Sequence, residues 1–210
     1  AGSSCERETL MKGDQVALWI AGARLRTLPL AVAPVLLGAA SAVFARAFDG
    51  LLCALALIVA IALQVGVNYA NDYSDGVRGT DDFRVGPARL TGSGAVEPRL
   101  VKRAALVFFA LAVAAGGLII VLTGLWWLAV VGVLAVAAAW LYTGGSRPYG
   151  YAGLGEVVVF VFFGLVATAG TAAIMIGEVP FEAWFTGSGA GFFASAVLLV
   201  NNIRDEETDR

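Results

Sequence analysis

The sequence predicts an all-α protein, a polytopic transmembrane helical bundle with six spans, and three observations lead to that prediction. Of the 210 residues, 59% are hydrophobic and only 14% are charged, and the mean hydropathy is +0.82, far above the balance of a soluble domain. The apolar residues form long runs without the polar–apolar alternation of barrel strands, so each span must be a helix. Many of the 26 glycines lie inside these runs, where they allow close helix packing.

Six apolar runs come near the length of ~20 residues that a helix needs to cross a bilayer. They cover residues 27–45, 51–70, 104–123, 126–143, 155–176 and 188–200, and we expect the last span to be short. Residues 1–15 form a polar N-terminal tail, whose composition is compatible with sequence added to the natural protein. Residues 16–210 form the transmembrane domain.

The basic residues predict the orientation of the bundle. If the N-terminus is cytoplasmic, every Lys and Arg except Arg46 falls on the inner side. Because basic loops stay in the cytoplasm, we expect a multi-pass protein of the cell membrane with a cytoplasmic N-terminus. Glu178 and Glu182 then lie in an outer loop.

The composition also excludes several kinds of site. The chain has no histidine, so histidine metal sites, histidine bases and Ser/His triads are ruled out. Its two cysteines, Cys5 and Cys53, are too few for a thiolate metal cluster, and we interpret both as incidental. We expect no nucleic-acid partner, and no feature of the sequence indicates an oligomeric state.

A short pattern occurs twice, at the ends of the second and sixth spans. Val67-Asn68 is followed four residues after the Asn by Asp72, and Val200-Asn201 is followed at the same distance by Asp205. This predicts a duplicated four-helix unit whose second copy stops halfway. The complete bundle would then have eight or nine spans, with its C-terminal helices absent from this chain.

Both copies place oxygen-bearing side chains along one helix face. Asn68, Asp72 and Asp75 follow at i, i+4 and i+7, while Asn201, Asp205 and Asp209 follow at i, i+4 and i+8. Gln64 extends the first stripe one turn deeper. Polar groups at that depth should face the bundle interior or a wet cavity. Oxygen ligands without His or Cys suit Mg²⁺, and two facing clusters could hold two ions around one diphosphate.

Two inner loops carry further candidates. Arg84 and Arg89 lie in the long loop 72–103 and could bind diphosphate oxygens with forked geometry. Arg147 is a second phosphate candidate in the loop after the fourth span. Tyr149 in that loop is either an interfacial anchor or an aromatic face that stabilises a carbocation, and the sequence leaves both open.

Together these motifs resemble the UbiA-type intramembrane prenyltransferase superfamily, and within it the 1,4-dihydroxy-2-naphthoate polyprenyltransferases. The first aspartate motif of that family looks like Asn68, Asp72, Asp75 and Asp81, with the Asp-x5-Asp spacing of the naphthoate branch. Its Arg-x-Gly-Pro-x-Arg segment is matched at residues 84–89, and its Tyr-Thr-Gly-Gly run at residues 142–145. Its second motif is matched at Asn201, Asn202, Arg204, Asp205 and Asp209.

The resemblance implies Mg²⁺-dependent transfer of a polyprenyl group from its diphosphate to 1,4-dihydroxy-2-naphthoate. Decarboxylation would give demethylmenaquinone, an intermediate of menaquinone biosynthesis. The implied catalytic residues are Asp72, Asp75, Asp205, Asn68 and Asp81. The implied metal ligands are Asp72, Asp75, Asp205, Asp209, Asn68 and Asn201. The implied substrate-binding residues are Arg84, Arg89, Arg147, Tyr142, Tyr149, Arg24 and Arg26, of which Arg24 and Arg26 could instead be membrane anchors.

Three alternatives remain open at this stage. The same chemistry could act on another aromatic acceptor such as 4-hydroxybenzoate, against which only the motif spacing argues. A membrane transporter also fits an internal repeat with polar residues, although its polar sites should lie near the midplane. A CDP-alcohol phosphotransferase would need an Asp-Gly-x2-Ala-Arg signature, which is broken after Asp75-Gly76.

Overall fold

The structure, a computed structural model, describes residues 15–78, 89–145 and 148–205, without the side chains of residues 151, 152, 204 and 205. All regular structure within these ranges is helical, which confirms the predicted fold class. After the helical residues 15–22 (α1) and a 3₁₀ turn at Leu25–Thr27, six helices follow. They are α2 Leu28–Phe44, α3 Gly50–Arg78, α4 Pro98–Thr123, α5 Leu128–Leu141, α6 Gly155–Ile176 and α7 Phe181–Asp205.

The six predicted runs all form helices, but their bounds differ from expectation. Helix α3 continues to Arg78 and α4 begins at Pro98, so both ends of the predicted loop 72–103 are helical. In the described residues, five helical segments are long and apolar enough to cross a membrane: α1 and α2 taken together, α3, α4, α6 and α7. Helix α5 with its 14 residues is shorter. The prediction that the last span is short is wrong, because α7 has 25 residues and begins at Phe181. In its first turns the hydroxyl groups of Thr186 and Ser188 donate to the carbonyls of Glu182 and Trp184, so these polar groups are satisfied within the helix.

Local signals in the sequence set the helix ends. Asp49 caps α3, since its Oδ1 accepts the backbone N–H groups of Leu51 and Leu52 at 2.8 and 2.9 Å. Pro98 opens α4, where a missing N–H costs nothing. Gly124 and Gly177 end α4 and α6 with φ of 70° and 92°, a conformation that favours glycine.

Glycines allow the helices to pack closely. A Cβ on Gly38 of α2 would lie 2.4 Å from the Thr168 carbonyl oxygen of α6, and one on Gly66 of α3 would lie 2.7 Å from the Phe109 ring of α4. Gly164 of α6 sits in a π-helical turn, Phe160–Val166, directly against the backbone of α7. Helix α2 is central, because it packs on α3, α6 and α7.

Helices α2 to α7 together surround a cavity of about 2280 Å³. Most of its wall is apolar and includes side chains such as Val59, Ile119 and Phe162. Polar side chains line it where α3 and α7 end, and we call this region the polar end of the bundle.

The Gly164 contact yields a stability prediction for the α6–α7 interface. A Cβ at Gly164 would lie 2.5 Å from the Gly187 carbonyl oxygen and from the Cα of Gly191, and backbone atoms cannot rotate away. We expect Gly164→Ala to lower the free energy of unfolding by about 1–3 kcal/mol, as overpacked cores do. Thermal unfolding of the purified protein in detergent measures this.

Gly170 provides the control on the same helix, because a Cβ there meets nothing within 4 Å. Gly170→Ala should be neutral or slightly stabilising, since alanine is the better helix former. Equal melting temperatures for the two variants would contradict the close α6–α7 contact.

Candidate active site

One face of α3 carries a buried polar stripe. Its members lie at i, i+4, i+7, i+8 and i+11, all of them are less than one-tenth exposed, and all line the cavity: Gln64, Asn68, Asn71, Asp72 and Asp75. Spread over 11 residues, the stripe runs along about 16 Å of helix. The structure therefore turns these side chains inward, as the sequence predicted for polar groups inside a span.

Thr27 is the hub that satisfies the deep end of this stripe. Its hydroxyl donates to the Arg24 carbonyl at 2.9 Å, and its lone pairs accept from Gln64 Nε2 at 2.8 Å and Asn68 Nδ2 at 3.2 Å. Asn68 Nδ2 also donates to the Ala23 carbonyl at 2.9 Å. Since carbonyls can only accept, this network fixes the Asn68 amide with its nitrogen toward residues 23–27 and its Oδ1 as the remaining acceptor.

Asp72 holds the chain that returns after residue 88. Its Oδ2 accepts the Leu90 N–H at 2.9 Å, and its Oδ1 accepts the Thr91 N–H at 2.8 Å. Close approach is possible because a Cβ on Gly76 would lie only 2.5 Å from Thr91 Cβ. Leu90, 1% exposed, fills the space beside Gly22. Asp72 is therefore structural here, whatever else it binds.

Asp75 forms an ion pair with Arg89. The Asp75 Oδ2 and Arg89 Nη1 atoms are 2.8 Å apart, and each side chain is 11% exposed. Both residues line the cavity beside Asp72. The cavity end of α3 thus carries two carboxylates, one of them paired with Arg89.

The donor atoms of this group fit a hard cation. Asp72, Asp75 and Asn68 offer only oxygen, and Mg²⁺ needs just one or two carboxylates when substrate oxygens or water complete its shell. Among the described residues no three acidic or cysteine side chains form a metal cluster on their own. The described part of the chain thus brings three of the predicted metal ligands, Asn68, Asp72 and Asp75, together at the cavity.

Sequence reasoning missed how α3 holds the segment between α5 and α6. The Thr143 hydroxyl donates to Asn71 Oδ1 at 2.7 Å, and Arg78 Nη1 donates to the Thr143 carbonyl at 2.5 Å. Arg78 Nη2 also donates to the Gly145 carbonyl. Asn71 could have been found from its place on the same helix face as Asn68, whereas Arg78 resembles any basic residue at a helix end.

The two tyrosines predicted to bind substrate lie together at the cavity. The Tyr142 and Tyr149 rings are T-shaped with centroids 5.6 Å apart, and the Tyr149 hydroxyl donates to the Ala138 carbonyl at 2.7 Å. Burial raises the pKa of Tyr149 to about 12, with a smaller contribution from Tyr142. Burial also raises the pKa of Tyr142, followed by the charge of Glu156, while Arg24 acts in the opposite direction and Asp75 raises it further. Both side chains are neutral phenols at physiological pH.

Arg24 and Arg26 also reach the cavity. Arg24 is half-buried in a left-handed conformation, with φ 52° and ψ 57°, a region that costs a residue with a Cβ energy. Hydrogen bonds stabilise it: its N–H donates to the Ala21 carbonyl, and its carbonyl accepts from Thr27. Arg26, two residues on, is exposed.

The second predicted cluster is described in part. Asn201 and Asn202 of α7 line the same cavity as the α3 stripe, and Asn202 Nδ2 donates to Glu156 Oε1 at 2.9 Å. Asp205 is the last described residue of α7, and its side chain is not described. Four other predicted site residues lie outside the described ranges: Asp81, Arg84, Arg147 and Asp209.

Comparison with known proteins decides the family. The model of the UbiA prenyltransferase family matches residues 31–210. The chain belongs to the UbiA prenyltransferase family. Within it, the chain is 51% identical over 193 residues to the 1,4-dihydroxy-2-naphthoate octaprenyltransferase of Mycobacterium tuberculosis. The aligned region covers 92% of this chain and 66% of that protein.

Other UbiA relatives agree. The chain is 37% identical over 211 residues to the 1,4-dihydroxy-2-naphthoate octaprenyltransferase of Haemophilus influenzae, covering 97% of this chain and 68% of that protein. It is 28% identical over 200 residues to the UbiA prenyltransferase domain-containing protein 1 of Gallus gallus, covering 94% of this chain and 60% of that protein. The chain thus spans about two thirds of the length of the curated relatives that it matches.

The Thr27 hub yields a prediction about the polar stripe of this UbiA protein. Thr27→Val keeps the volume but removes the hydroxyl that binds Gln64 Nε2, Asn68 Nδ2 and the Arg24 carbonyl. Asn68 Nδ2 keeps the Ala23 carbonyl and the Arg24 carbonyl keeps the Thr27 N–H, whereas Gln64 Nε2 is left with a 3.5 Å bond to Asn68 Oδ1. We expect the free energy of unfolding to fall by about 1–3 kcal/mol, the cost of leaving one buried donor poorly satisfied. Thermal unfolding in detergent measures it. Thr27→Ser, which keeps the hydroxyl, is the control, and equal stability of the Val and Ser variants would contradict the network.

The raised pKa of Tyr149 yields a prediction about alkaline pH. A folded-state pKa of about 12 against about 10 for an exposed tyrosine means that the protonated phenol favours folding. That stabilisation is complete below about pH 10 and disappears as the pH rises toward 12. The difference in phenolate absorbance between the wild type and Tyr149→Phe should therefore titrate with a midpoint near 12. A midpoint near 10 would contradict the burial of this hydroxyl.

Proposed function

We propose that the full-length protein transfers a polyprenyl group from polyprenyl diphosphate to 1,4-dihydroxy-2-naphthoate. The ring carboxylate leaves as carbon dioxide and the diphosphate departs, giving demethylmenaquinol, the reduced form of demethylmenaquinone. One observation carries the proposal: a single cavity joins an oxygen-rich, partly charged end to a long apolar interior. The family membership, and the printed name of relatives such as the 51% identical mycobacterial protein, support the same reaction.

The polar end would bind the diphosphate. Asp72, Asp75 and Asn68 on α3, with Asn201, Asp205, Asp209 and Asp81, would hold Mg²⁺. When bound, Mg²⁺ supplies positive charge that offsets the charge developing on the departing diphosphate. The buried helix face places the oxygen atoms of Asn68, Asp72 and Asp75 beforehand, so that little reorganisation is needed.

Arginine side chains would bind the remaining phosphate oxygens. Arg89 lies at the cavity with its guanidinium held by Asp75. A forked guanidinium suits a phosphate, and an aspartate that orients it reduces the entropy lost on binding. Arg84, Arg147, Arg24 and Arg26 would complete the cationic surface.

The aromatic and apolar parts of the cavity would protect the allylic cation. Tyr142 and Tyr149 are neutral and form edge-to-face contacts, so that an aromatic face could stabilise positive charge. The apolar walls from α2 to α7 would hold the prenyl tail and keep water from the cation. The basic residues near this end favour its location on the cytoplasmic side of the membrane.

A competition assay tests this function. Membranes containing the full-length protein are given polyprenyl diphosphate with 1,4-dihydroxy-2-naphthoate and 4-hydroxybenzoate together, and we expect only the naphthoate to be prenylated. Chelation of Mg²⁺ should abolish turnover. Asp75→Asn, which removes the charge that binds Arg89 and metal, should lower kcat/KM by about 100-fold or more.

Asp49→Asn is the matched control, because Asp49 caps the opposite end of the same helix and asparagine caps equally well. It should retain wild-type turnover. Preferential prenylation of 4-hydroxybenzoate would reject the proposed acceptor, and full turnover by Asp75→Asn without Mg²⁺ would reject the proposed mechanism.

A further inference from the structure

The two helices that carry the polar clusters have little direct contact with each other in the described part of the chain. Helix α2 packs on both of them, and at the polar end the segment between α5 and α6 also connects them. Its first residues are bound to α3, since Thr143 bonds to Asn71 and Arg78. Its last residues reach α7, so at the polar end the positions of the two clusters also depend on this second attachment.

Glu156, the second residue of α6, makes that attachment at two points. Its carboxylate Oε1 accepts from Asn202 Nδ2 at 2.9 Å, and its backbone carbonyl accepts from the Ser195 hydroxyl at 2.9 Å. Ser195 and Asn202 are seven residues apart and therefore lie on one face of α7. Two hydrogen bonds along one face fix both the rotation of α7 about its axis and its axial position relative to the start of α6.

Close packing at the same place leaves little room for movement. A Cβ on Gly155 would lie 3.3 Å from both Tyr142 Cε2 and Leu198 Cδ2, so the end of α5, the start of α6 and α7 meet there. Leu198 lies between Ser195 and Asn202 on the same face of α7. An anion in the first turn of α6 is also stabilised by the free N–H groups of that helix.

We propose that Glu156 is a positioning residue: by holding Asn202, it fixes the last turns of α7 and thereby the second cluster relative to the cluster on α3. Asn201, which lines the cavity, and Asp205 lie within one turn of Asn202. A charge-assisted hydrogen bond is stronger than a neutral one, which explains a glutamate at this place. The inference depends on the proposed function only in the experiments that measure turnover.

Substitutions of Glu156 and Asn202, singly and together, test this hydrogen bond in the full-length protein. Glu156→Ala removes the bond and should lower kcat by about 10–100-fold, as small displacements of reacting groups do. The KM for polyprenyl diphosphate should change less, because the apolar walls still bind the tail. Glu156→Gln keeps an acceptor oxygen and should stay within about threefold of wild type.

The reciprocal exchange is the sharper part of the test. Asn202→Asp places two carboxylates against each other and should lose activity like Glu156→Ala. The double variant Glu156→Gln, Asn202→Asp restores one donor and one acceptor in reversed order. We expect its kcat to be at least tenfold higher than that of Asn202→Asp alone. A double variant no more active than Asn202→Asp would overturn the proposal.

A distance measurement separates positioning from a general effect on stability. Nitroxide labels at Val77→Cys and Ile203→Cys, both exposed positions at the ends of α3 and α7, report the spacing of the clusters by pulsed electron resonance after the native cysteines are replaced. We expect one narrow distance in the wild type, Glu156→Gln and the double variant. Glu156→Ala and Asn202→Asp should broaden or shift it.

Glu182 supplies the matched control, because it lies in the first turn of α7 at the opposite end of the bundle. Glu182→Ala should change neither turnover nor the measured distance. An unchanged distance in folded Glu156→Ala would overturn the positioning role, even if its melting temperature fell. Absence of any prenyl transfer by the wild type would reject the proposed function instead, and the distances would still decide the role of Glu156.

Discussion

The polar stripe of α3 is the constraint on which the rest of this structure depends. Helix α3 carries six buried polar side chains, and five of them, two carboxylates included, lie on the face toward the cavity. Inside a membrane protein such groups are expensive unless protein atoms satisfy them. The surrounding segments supply those partners, and their paths can be understood from this requirement.

Different parts of the chain provide the hydrogen-bond partners at successive turns of the stripe. The turn at residues 24–27 accepts from Gln64 Nε2 and Asn68 Nδ2, the backbone at Leu90 and Thr91 donates to Asp72, and Thr143 donates to Asn71. Because the partners come from three separate connections, the stripe organises the polar end of the bundle. The same contacts orient oxygen atoms toward a cavity in which a diphosphate would bind.

The proposed chemistry and the stability of the polar end therefore rely on the same side chains. Asp72 both binds the returning backbone and faces the cavity, and Asp75 both pairs with Arg89 and would bind metal. A substitution at either residue changes the framework as well as the charge. Residues such as Thr27 and Glu156, which hold others in place, allow the two effects to be separated by experiment.

The sequence by itself determined the helical membrane fold, the inward face of α3 and the resemblance to a UbiA enzyme, because hydropathy and helical spacing are local properties. It misjudged the last span, since hydroxyls that bond within a helix lower hydropathy without ending it. Only the tertiary structure decided that Arg89 pairs with Asp75, that Thr27 orients Asn68 and that Glu156 holds Asn202. These contacts join residues up to 46 positions apart, and no local pattern records which distant side chains the packing of helices will bring together.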